Sequence, residues 1–425
     1  MTEKIQSAET SKQAPNVGEF VIKRPFNSTL ATGIIATVLC FVVTMIYWPL
    51  WGMAAKAIIT SVAGQGLQTV DAKTASKYVS VFTEGTFFWM VINAWVWLTL
   101  AFGNYGKTAL TAKQPLAGIW YAIVGAVAGI VGFIVLVGFL GLWWKPFSFC
   151  ILFMPTTPED VHLAIEGWEA SNFYALMVII AQIPFISLFQ KWPFAGNIKA
   201  PWDGYGVLLA GTVFALITWF GLVVTSFMKL SIGEHAVVSV PMGSWPTLVA
   251  FCEWFIFWFL MPAEGGESYP QKLFAKKQPY MGIVGLIIAF VMAHVFVIAA
   301  RPILTALDLM PGAPVDLLSA SMGLSVVTTM LVWHHLFDDF PSAQMVPNQA
   351  ARVLCRIAIW VVLGCIMGII WIKTFKMLPF GGTDYGLGWP TMGILAGQFA
   401  FLMVVLYCNT FFDKWPVVRK VSVKK

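Results

Sequence analysis

Long apolar stretches alternate with short polar loops along almost the whole chain. A membrane-spanning helix needs about 20 mainly apolar residues. On this criterion the sequence predicts about ten spans, at roughly 28–50, 82–103, 116–141, 170–190, 205–228, 245–262, 281–300, 315–337, 352–375 and 389–412. The eighth is the least clear, because it begins with Asp316 and ends in a group of histidines and aspartates. The predicted fold class is an all-α polytopic membrane protein.

The composition supports this class. Hydrophobic residues make up 59% of the chain and charged residues only 11%, whereas a soluble globular protein has about 25% charged residues. The chain also contains 20 Trp and 34 Phe, and aromatic rings collect at membrane interfaces. Its 6 Cys are scattered, with none in a C-x-x-C pair. A disulfide framework and a cysteine-ligated zinc site are therefore not expected.

Several function classes lack the motifs that they require. The sequence contains no G-x-x-x-x-G-K-[ST], H-E-x-x-H, G-x-S-x-G or C-x-x-C-H. These absences argue against ATP-driven pumping by this chain alone, zinc proteolysis, serine hydrolysis and covalent haem attachment. The net charge of +6 comes from lysines and arginines in loops, and no nucleic-acid motif accompanies it. We expect no cofactor, no resident metal and no nucleic-acid partner.

The lysines and arginines predict the orientation. They concentrate in alternate loops and in both tails, for example at Lys23, Lys191, Lys277, Arg352 and Lys420. Cytoplasmic loops carry an excess of these residues, so both termini are predicted to be cytosolic in a multi-pass protein of the cell inner (plasma) membrane. Residues 1–24 read as a flexible cytosolic tail, since they lack an apolar signal-peptide core. Residues 418–425 form a basic cytosolic tail.

Short motifs recur at the predicted cytosolic ends of the spans. A proline opens alternate spans at Pro25, Pro115, Pro201, Pro279 and, less clearly, Pro347, and related motifs close spans at 189–193, 337–341 and 412–416. They predict a transmembrane domain, 25–417, of five tandem helical hairpins at 25–114, 115–200, 201–278, 279–346 and 347–417. A unit of four spans occurring twice is an alternative. A further alternative is that Trp and Pro simply mark the interfaces.

Polar residues inside the predicted spans are the first functional candidates, because polar groups are costly in a bilayer. The predicted substrate or ion-coupling residues are Glu253, His294, Gln182, Asn93 and Gln398. Glu253 is the most informative, since a carboxyl at that depth must pair, accept hydrogen bonds or hold a proton. Glu84 is placed at the outer end of the second span.

A second group lies at the end of the eighth span, where His334 and His335 are each followed four residues later by an aspartate, Asp338 and Asp339. A helix would place each histidine beside its aspartate. We interpret the group as a gate or proton relay at the cytosolic mouth. Two alternatives are a metal site completed by His294 and Glu253, and an interfacial cluster without a function.

These observations favour a secondary transporter or permease for a small solute, coupled to an ion, rather than an enzyme. Its expected partners are the lipid bilayer and a small-molecule solute or ion. A membrane-embedded metal or redox enzyme, a quinone-facing subunit and an accessory subunit of a larger complex are alternatives, and oligomerisation or partner subunits are left open. The sequence does not name the solute.

Overall fold

The structure is a computed structural model that describes residues 20–105, 114–224, 231–232, 235–236, 244–379 and 392–422. Most of the predicted tail at 1–24 lies outside the described residues. The helices are α1 Thr29–Leu67, α2 Ala72–Phe87, α3 Leu116–Leu140, α4 Phe149–Phe153, α5 Pro158–Ser187, α6 Trp202–Thr218, α7 Trp245–Leu260, α8 Tyr280–Leu307, α9 Val315–Phe337, α10 Gln349–Thr374 and α11 Met392–Thr410. Helix α2 continues as π-helix at Phe88–Asn93 and Val96–Ala101, and α6 continues at Trp219–Val224.

Short 3-10 helices lie at Pro25–Asn27, Lys145–Phe147, Gln271–Leu273 and Phe375–Met377. The described strands are β1 Phe20–Lys23, β2 Ser231–Ile232, β3 His235–Ala236 and β4 Arg419–Ser422. Strand β1 pairs antiparallel with β4, so the two ends of the described chain lie side by side. Strands β2 and β3 form a small antiparallel pair. We call the end of the helical bundle that carries β1 and β4 the tail end, and the opposite end the distal end.

In the described part of the chain, eight helices are long and apolar enough to cross a membrane, which confirms the prediction of an all-α multi-pass membrane protein. The sixth and tenth predicted spans correspond to α7 and to α11, which are apolar but shorter. Several boundaries differ from the prediction because polar turns extend the helices. Asp71 caps α2 by accepting hydrogen bonds from the backbone of Lys73 and Thr74, so α2 begins well before position 82. Helix α1 likewise runs on to Leu67.

The helices form two shells. In α2 and its continuation 83% of the most apolar segment is buried, and the fraction is 78% in both α5 and α9, against 22–33% in α1, α3, α6, α8 and α10. Helices α7 and α11 are also buried along most of their length. We call α2, α5, α7, α9 and α11 the central helices and the other five long helices the peripheral helices. The exposed side chains of the peripheral helices include many Leu, Ile, Val and Phe.

The central helices form a closed ring in the order α2, α5, α7, α9, α11. Helices α5 and α7 pack directly against each other. Side-chain hydrogen bonds join the other neighbours: Trp89 to Ser171 (2.9 Å), Trp254 to Ser319 (3.2 Å), Ser321 to Gln398 (2.9 Å) and Trp95 to Thr410 (3.0 Å). The last of these bonds joins α2 to α11 and closes the ring.

Each peripheral helix packs against the outside of the central ring. Helix α1 packs on α11, α9 and α2, α3 on α2 and the residues that follow α11, α6 on α5 and the π-helical end of α2, α8 on α7 and α9 with a smaller contact to α5, and α10 on α9 with an ion pair to the loop after α7. Glycines permit this close approach. A Cβ on Gly118 or Gly282 would lie 2.4 Å from the ring of Phe412 or Phe189, respectively. Every peripheral helix therefore packs on the central helix that precedes it in the chain, and α1, which has none before it, packs on α11; this offset along the ring is the same for all five.

The central helices also end alike. After each of them, two consecutive residues have positive φ: Gly103–Asn104, Gln190–Lys191, Glu267–Ser268, Asp338–Asp339 and Asp413–Lys414. Left-handed residues at this position stop a helix and turn the chain. The sequence motifs pointed to three of these ends. The other two differ in residue type but share the backbone conformation.

Candidate functional site

A cavity of about 320 Å³ lies within the central ring, walled by α2, α5, α7 and α11. Its lining combines apolar side chains, including Phe88, Phe173 and Phe399, with carboxylates. Exposed Lys77 and Glu169 lie at its edge and form an ion pair of 2.8 Å. They belong to the first turns of α2 and the middle of α5, so the cavity faces the distal end.

Two buried carboxyl groups line this cavity. Glu253 of α7 is 0% exposed and Glu84 of α2 is 2% exposed. Neither carboxyl has a hydrogen-bond partner among the described residues. Gly323 allows α9 to approach closely here, since a Cβ on it would lie 3.1 Å from Cβ of Glu253. Buried polar groups are normally paired. These two carboxyls have no such partner among the described residues, so each can still take up a proton or a cation.

The start of α2 differs from the predicted start of the second span. That span was predicted to begin at 82, whereas α2 begins at Ala72 and Glu84 is only 2% exposed. Glu84 therefore lies about three turns inside the helix. The missed signal was the Asp71 cap, which marks the true start of α2.

The other polar residues predicted within spans lie elsewhere. His294 is on peripheral helix α8, between the rings of Phe251 (4.7 Å) and Phe290 (4.6 Å), and is not among the residues that line the cavity. Gln182 accepts a hydrogen bond from Trp97 at 2.9 Å. The Gln398 amide donates to Ser325 at 2.6 Å and to Ser321 O at 3.1 Å. Both glutamines thus hold helices together.

Asn93 differs from these two glutamines. It is 0% exposed in the π-helical part of α2. Its amide nitrogen and oxygen lack hydrogen-bond partners in the described part of the chain. Among the predicted polar residues, Asn93 and Glu253 are thus the two whose hydrogen-bonding capacity is unused.

A larger cavity of about 700 Å³ lies between α1, α3 and α11, and its wall is almost entirely apolar. Tyr47 and Tyr407 contribute the main polar groups. Peripheral helices α1 and α3 form much of its wall. It contains no carboxylate or histidine, so the smaller cavity is the candidate site for ion chemistry.

The predicted pairing of each histidine with the aspartate four residues later is wrong. Helix α9 ends at Phe337, and Asp338 and Asp339 have φ of 50° and 57°, which takes them off the helix. His334 Nδ1 instead lies 2.9 Å from Asp339 Oδ1. Asp338 forms ion pairs with Arg24 at 2.8 Å and with Lys414. It therefore joins the chain's two end segments to α9.

The histidines converge on a residue that the sequence analysis did not select. Oε2 of Glu264 lies 3.0 Å from Nε2 of His334 and 3.7 Å from Nε2 of His335. Nδ1 of His335 lies 2.7 Å from the side-chain nitrogen of Asn409. We call Glu264, His334 and His335 the tail-end cluster. Its sequence signal was the loop 261–270, whose two glycines lie between acids and which reads equally well as an ordinary turn.

The loop that carries Glu264 is fixed by two arginines of α10. Arg356 donates to Gly265 O at 2.7 Å, and Arg352 makes two 2.7 Å hydrogen bonds to the carboxylate of Glu267. These hydrogen bonds from Arg352 hold the pKa of Glu267 below its usual value. Burial raises the pKa of Glu264, while the nearby His334 opposes that shift. The pKa of Glu267 is thus lowered and that of Glu264 raised, although both glutamates lie in the same loop.

No known family model matches this chain, and comparison with curated proteins and with solved structures gives no match. The argument for function therefore rests on the geometry of the ring, its cavity and the tail-end cluster.

Proposed function

We propose that the protein is a secondary transporter or permease for a small solute, coupled to a monovalent cation, H⁺ or Na⁺. The observation that carries the proposal is that Glu84 and Glu253 line one cavity inside the ring, buried and without hydrogen-bond partners in the described part of the chain. Ionisable groups within a membrane are costly and typically mark ion or substrate pathways. Such a carboxyl gains a partner each time it binds a proton or a cation.

The mouth of the cavity supports a cationic rather than an anionic partner. Glu166 and Glu169 line it together with Glu84 and Glu253, against the one lysine, Lys77. Lys77 is already paired with Glu169 at 2.8 Å. Clustered carboxylates raise the local concentration of cations. Phe88, Phe173 and Phe399 supply an apolar wall, which suits the non-polar part of a solute.

The proposed orientation places the tail end in the cytosol, because Arg24, Arg352, Arg356 and Lys414 lie there and cytoplasmic surfaces carry excess Lys and Arg. The proposed organisation is five tandem hairpins, each contributing one central and one peripheral helix. The shared helix ends and the constant offset of the peripheral helices support it. Ion entry into the cavity would then occur from the outer, distal side.

The test uses purified protein in liposomes. Proton movement is followed with a pH-sensitive dye and Na⁺ movement with ²²Na⁺, which separates the two coupling ions. We expect cation movement above that of protein-free liposomes, lost in Glu253→Gln and reduced at least tenfold in Glu84→Gln. Glu159→Gln, an exposed position in the first turn of α5, is the matched control and should retain it. Unchanged movement in both cavity variants would remove these carboxyls from the mechanism.

A further inference from the structure

Three atoms of the tail-end cluster that could bind a metal lie close together. Nε2 of His334 and Nε2 of His335 both face Oε2 of Glu264, at 3.0 and 3.7 Å. All three ligand atoms lie within 4.8 Å of one another. Two ligands bound to one metal at about 2.0–2.1 Å, at a tetrahedral angle, are separated by about 3.3 Å. The two separations from Oε2 of Glu264, 3.0 and 3.7 Å, bracket that value.

The protonation of His334 is set by its neighbour. Nδ1 lies 2.9 and 3.0 Å from the two carboxylate oxygens of Asp339, so Nδ1 carries the proton and donates it. When the ring is neutral, Nε2 carries the lone pair and faces Glu264 at 3.0 Å. A carboxylate behind a ligating histidine is a common arrangement at metal sites, where it fixes the ring and raises its basicity.

His335 repeats this arrangement with an amide. The side-chain nitrogen of Asn409 lies 2.7 Å from Nδ1 of His335, and metal binding through Nε2 requires this amide to turn so that its oxygen accepts the Nδ1 proton. Nε2 is then an acceptor as well. This atom is buried, in a side chain that is only 8% exposed, and has no hydrogen-bond partner among the described residues. A buried nitrogen without a partner, aimed into the cluster, requires an explanation.

A cation between the three atoms explains all of these features. A proton can join His334 to Glu264 at 3.0 Å, but it leaves Nε2 of His335 unpartnered at 3.7 Å. A metal ion binds all three atoms at once. We propose that Glu264, His334 and His335 bind a divalent transition-metal ion of the Zn²⁺ class, with Asp339 and Asn409 positioning the two imidazoles. Two imidazoles and one carboxylate suit Zn²⁺ and neighbouring divalent ions.

The site is reachable and its ligands come from separate elements. His334 is 30% exposed at the tail end, so an ion can enter from water and keep a water or solute in an open position. Glu264 follows α7, whereas both histidines end α9. The ion therefore ties together two adjacent central helices. This inference is independent of the proposed transport function, because it uses none of the cavity residues.

The test measures metal binding directly in the full-length protein in detergent after treatment with a chelator. Added Zn²⁺ should bind at one ion per chain by calorimetry and raise Tm, and Co²⁺ should give the visible absorption of a four- or five-coordinate site. Glu264→Gln and His335→Gln should lower Zn²⁺ affinity at least 100-fold. Asp339→Asn, which removes no ligand, should lower it about 10–100-fold. His162→Gln and His294→Gln, away from the cluster, should leave affinity unchanged.

The outcomes are distinguishable even if one variant fails to fold. The Tm shift and Co²⁺ spectrum need only the unmodified chain, and Asp339→Asn alters a side chain that is 27% exposed. If Zn²⁺, Co²⁺, Ni²⁺ and Mn²⁺ leave Tm unchanged and show no binding, the cluster holds a proton rather than a metal and the proposal is overturned. Equal Zn²⁺ affinity in Glu264→Gln and the unmodified chain would overturn it as well.

Discussion

Asp339 lies so close to Gly265 that no side chain fits between them: a Cβ on Gly265 would lie 2.4 Å from Oδ1 of Asp339. Gly265 also has a φ of +92°, a conformation that L-residues rarely adopt. Position 265 must therefore have no side chain and must also adopt a positive φ. Both requirements apply beside Asp339, the aspartate that orients His334. The glycine allows the loop after α7 to reach the end of α9.

Gly265→Ala should therefore disturb the tail-end cluster and destabilise the fold. The positive φ alone costs roughly 1–2 kcal/mol, and displacing Asp339 should add about 1 kcal/mol or more. Gly196→Ala is the matched control, since Gly196 has a φ of +82° and nothing within 4 Å of the added Cβ. Reversible unfolding in mixed micelles measures both. Equal losses of unfolding free energy in Gly265→Ala and Gly196→Ala would show that contact between the added Cβ and Asp339 contributes nothing.

The Glu267–Arg352 contact should make stability depend on pH. Because Arg352 holds the pKa of Glu267 below its usual value of 4.5, the carboxylate stabilises the folded state at neutral pH. That stabilisation is fully present above the unfolded pKa and is lost as pH falls through the lower, folded value. The Glu267→Gln variant lacks this carboxylate and therefore lacks the stabilisation at every pH. The difference in Tm between the unmodified chain and Glu267→Gln should thus shrink as pH falls from 7 to about 3.

The class of fold was predictable from the sequence for two reasons. A membrane-spanning segment must satisfy its backbone hydrogen bonds within a helix, and its side chains must be apolar over a fixed length. Those constraints are local, and apolar runs such as Leu116–Leu140 satisfy them plainly. Helix starts were less predictable, since α2 gains its first turns from the polar Asp71 cap. Hydropathy does not detect such a cap.

The candidate sites were only partly predictable, since they depend on which helices are neighbours. Glu253 was selected from its depth in a span, but Glu84, which lines the same cavity, belongs to another helix that is distant in the sequence. His334 and His335 were selected as an unusual pair, but Glu264 reaches them through a loop that turns at a glycine. The assumption of a continuing helix assigned their aspartates wrongly, because Asp338 and Asp339 adopt positive φ. A contact between segments that are far apart in the sequence produces no periodic pattern of residues along the chain.

Gln398 and Asn93 should respond in opposite ways to apolar replacement. Gln398 makes three hydrogen bonds to Ser321 and Ser325, and such bonds in membranes contribute about 0.6 kcal/mol each. Gln398→Met should therefore cost about 2 kcal/mol. Asn93→Leu removes an amide that has no partner in the described part of the chain, so it should be neutral or stabilising. Unfolding midpoints of the two variants test this, and a loss of stability in Asn93→Leu would mean that its amide is satisfied.

Close approach of α3 to α2 should depend on Gly129. A Cβ there would lie 2.2 Å from the backbone oxygen of Trp89, and backbone cannot move aside as a side chain can. Gly129→Ala should push the two helices apart and cost about 1–3 kcal/mol. Gly64→Ala in α1 is the control, because nothing lies within 4 Å of its added Cβ. It should stabilise the protein by up to about 1 kcal/mol, since alanine favours helix over glycine. Unfolding of both variants in the same micelles gives the comparison, and a stable Gly129→Ala protein would contradict the close packing of α3 against α2.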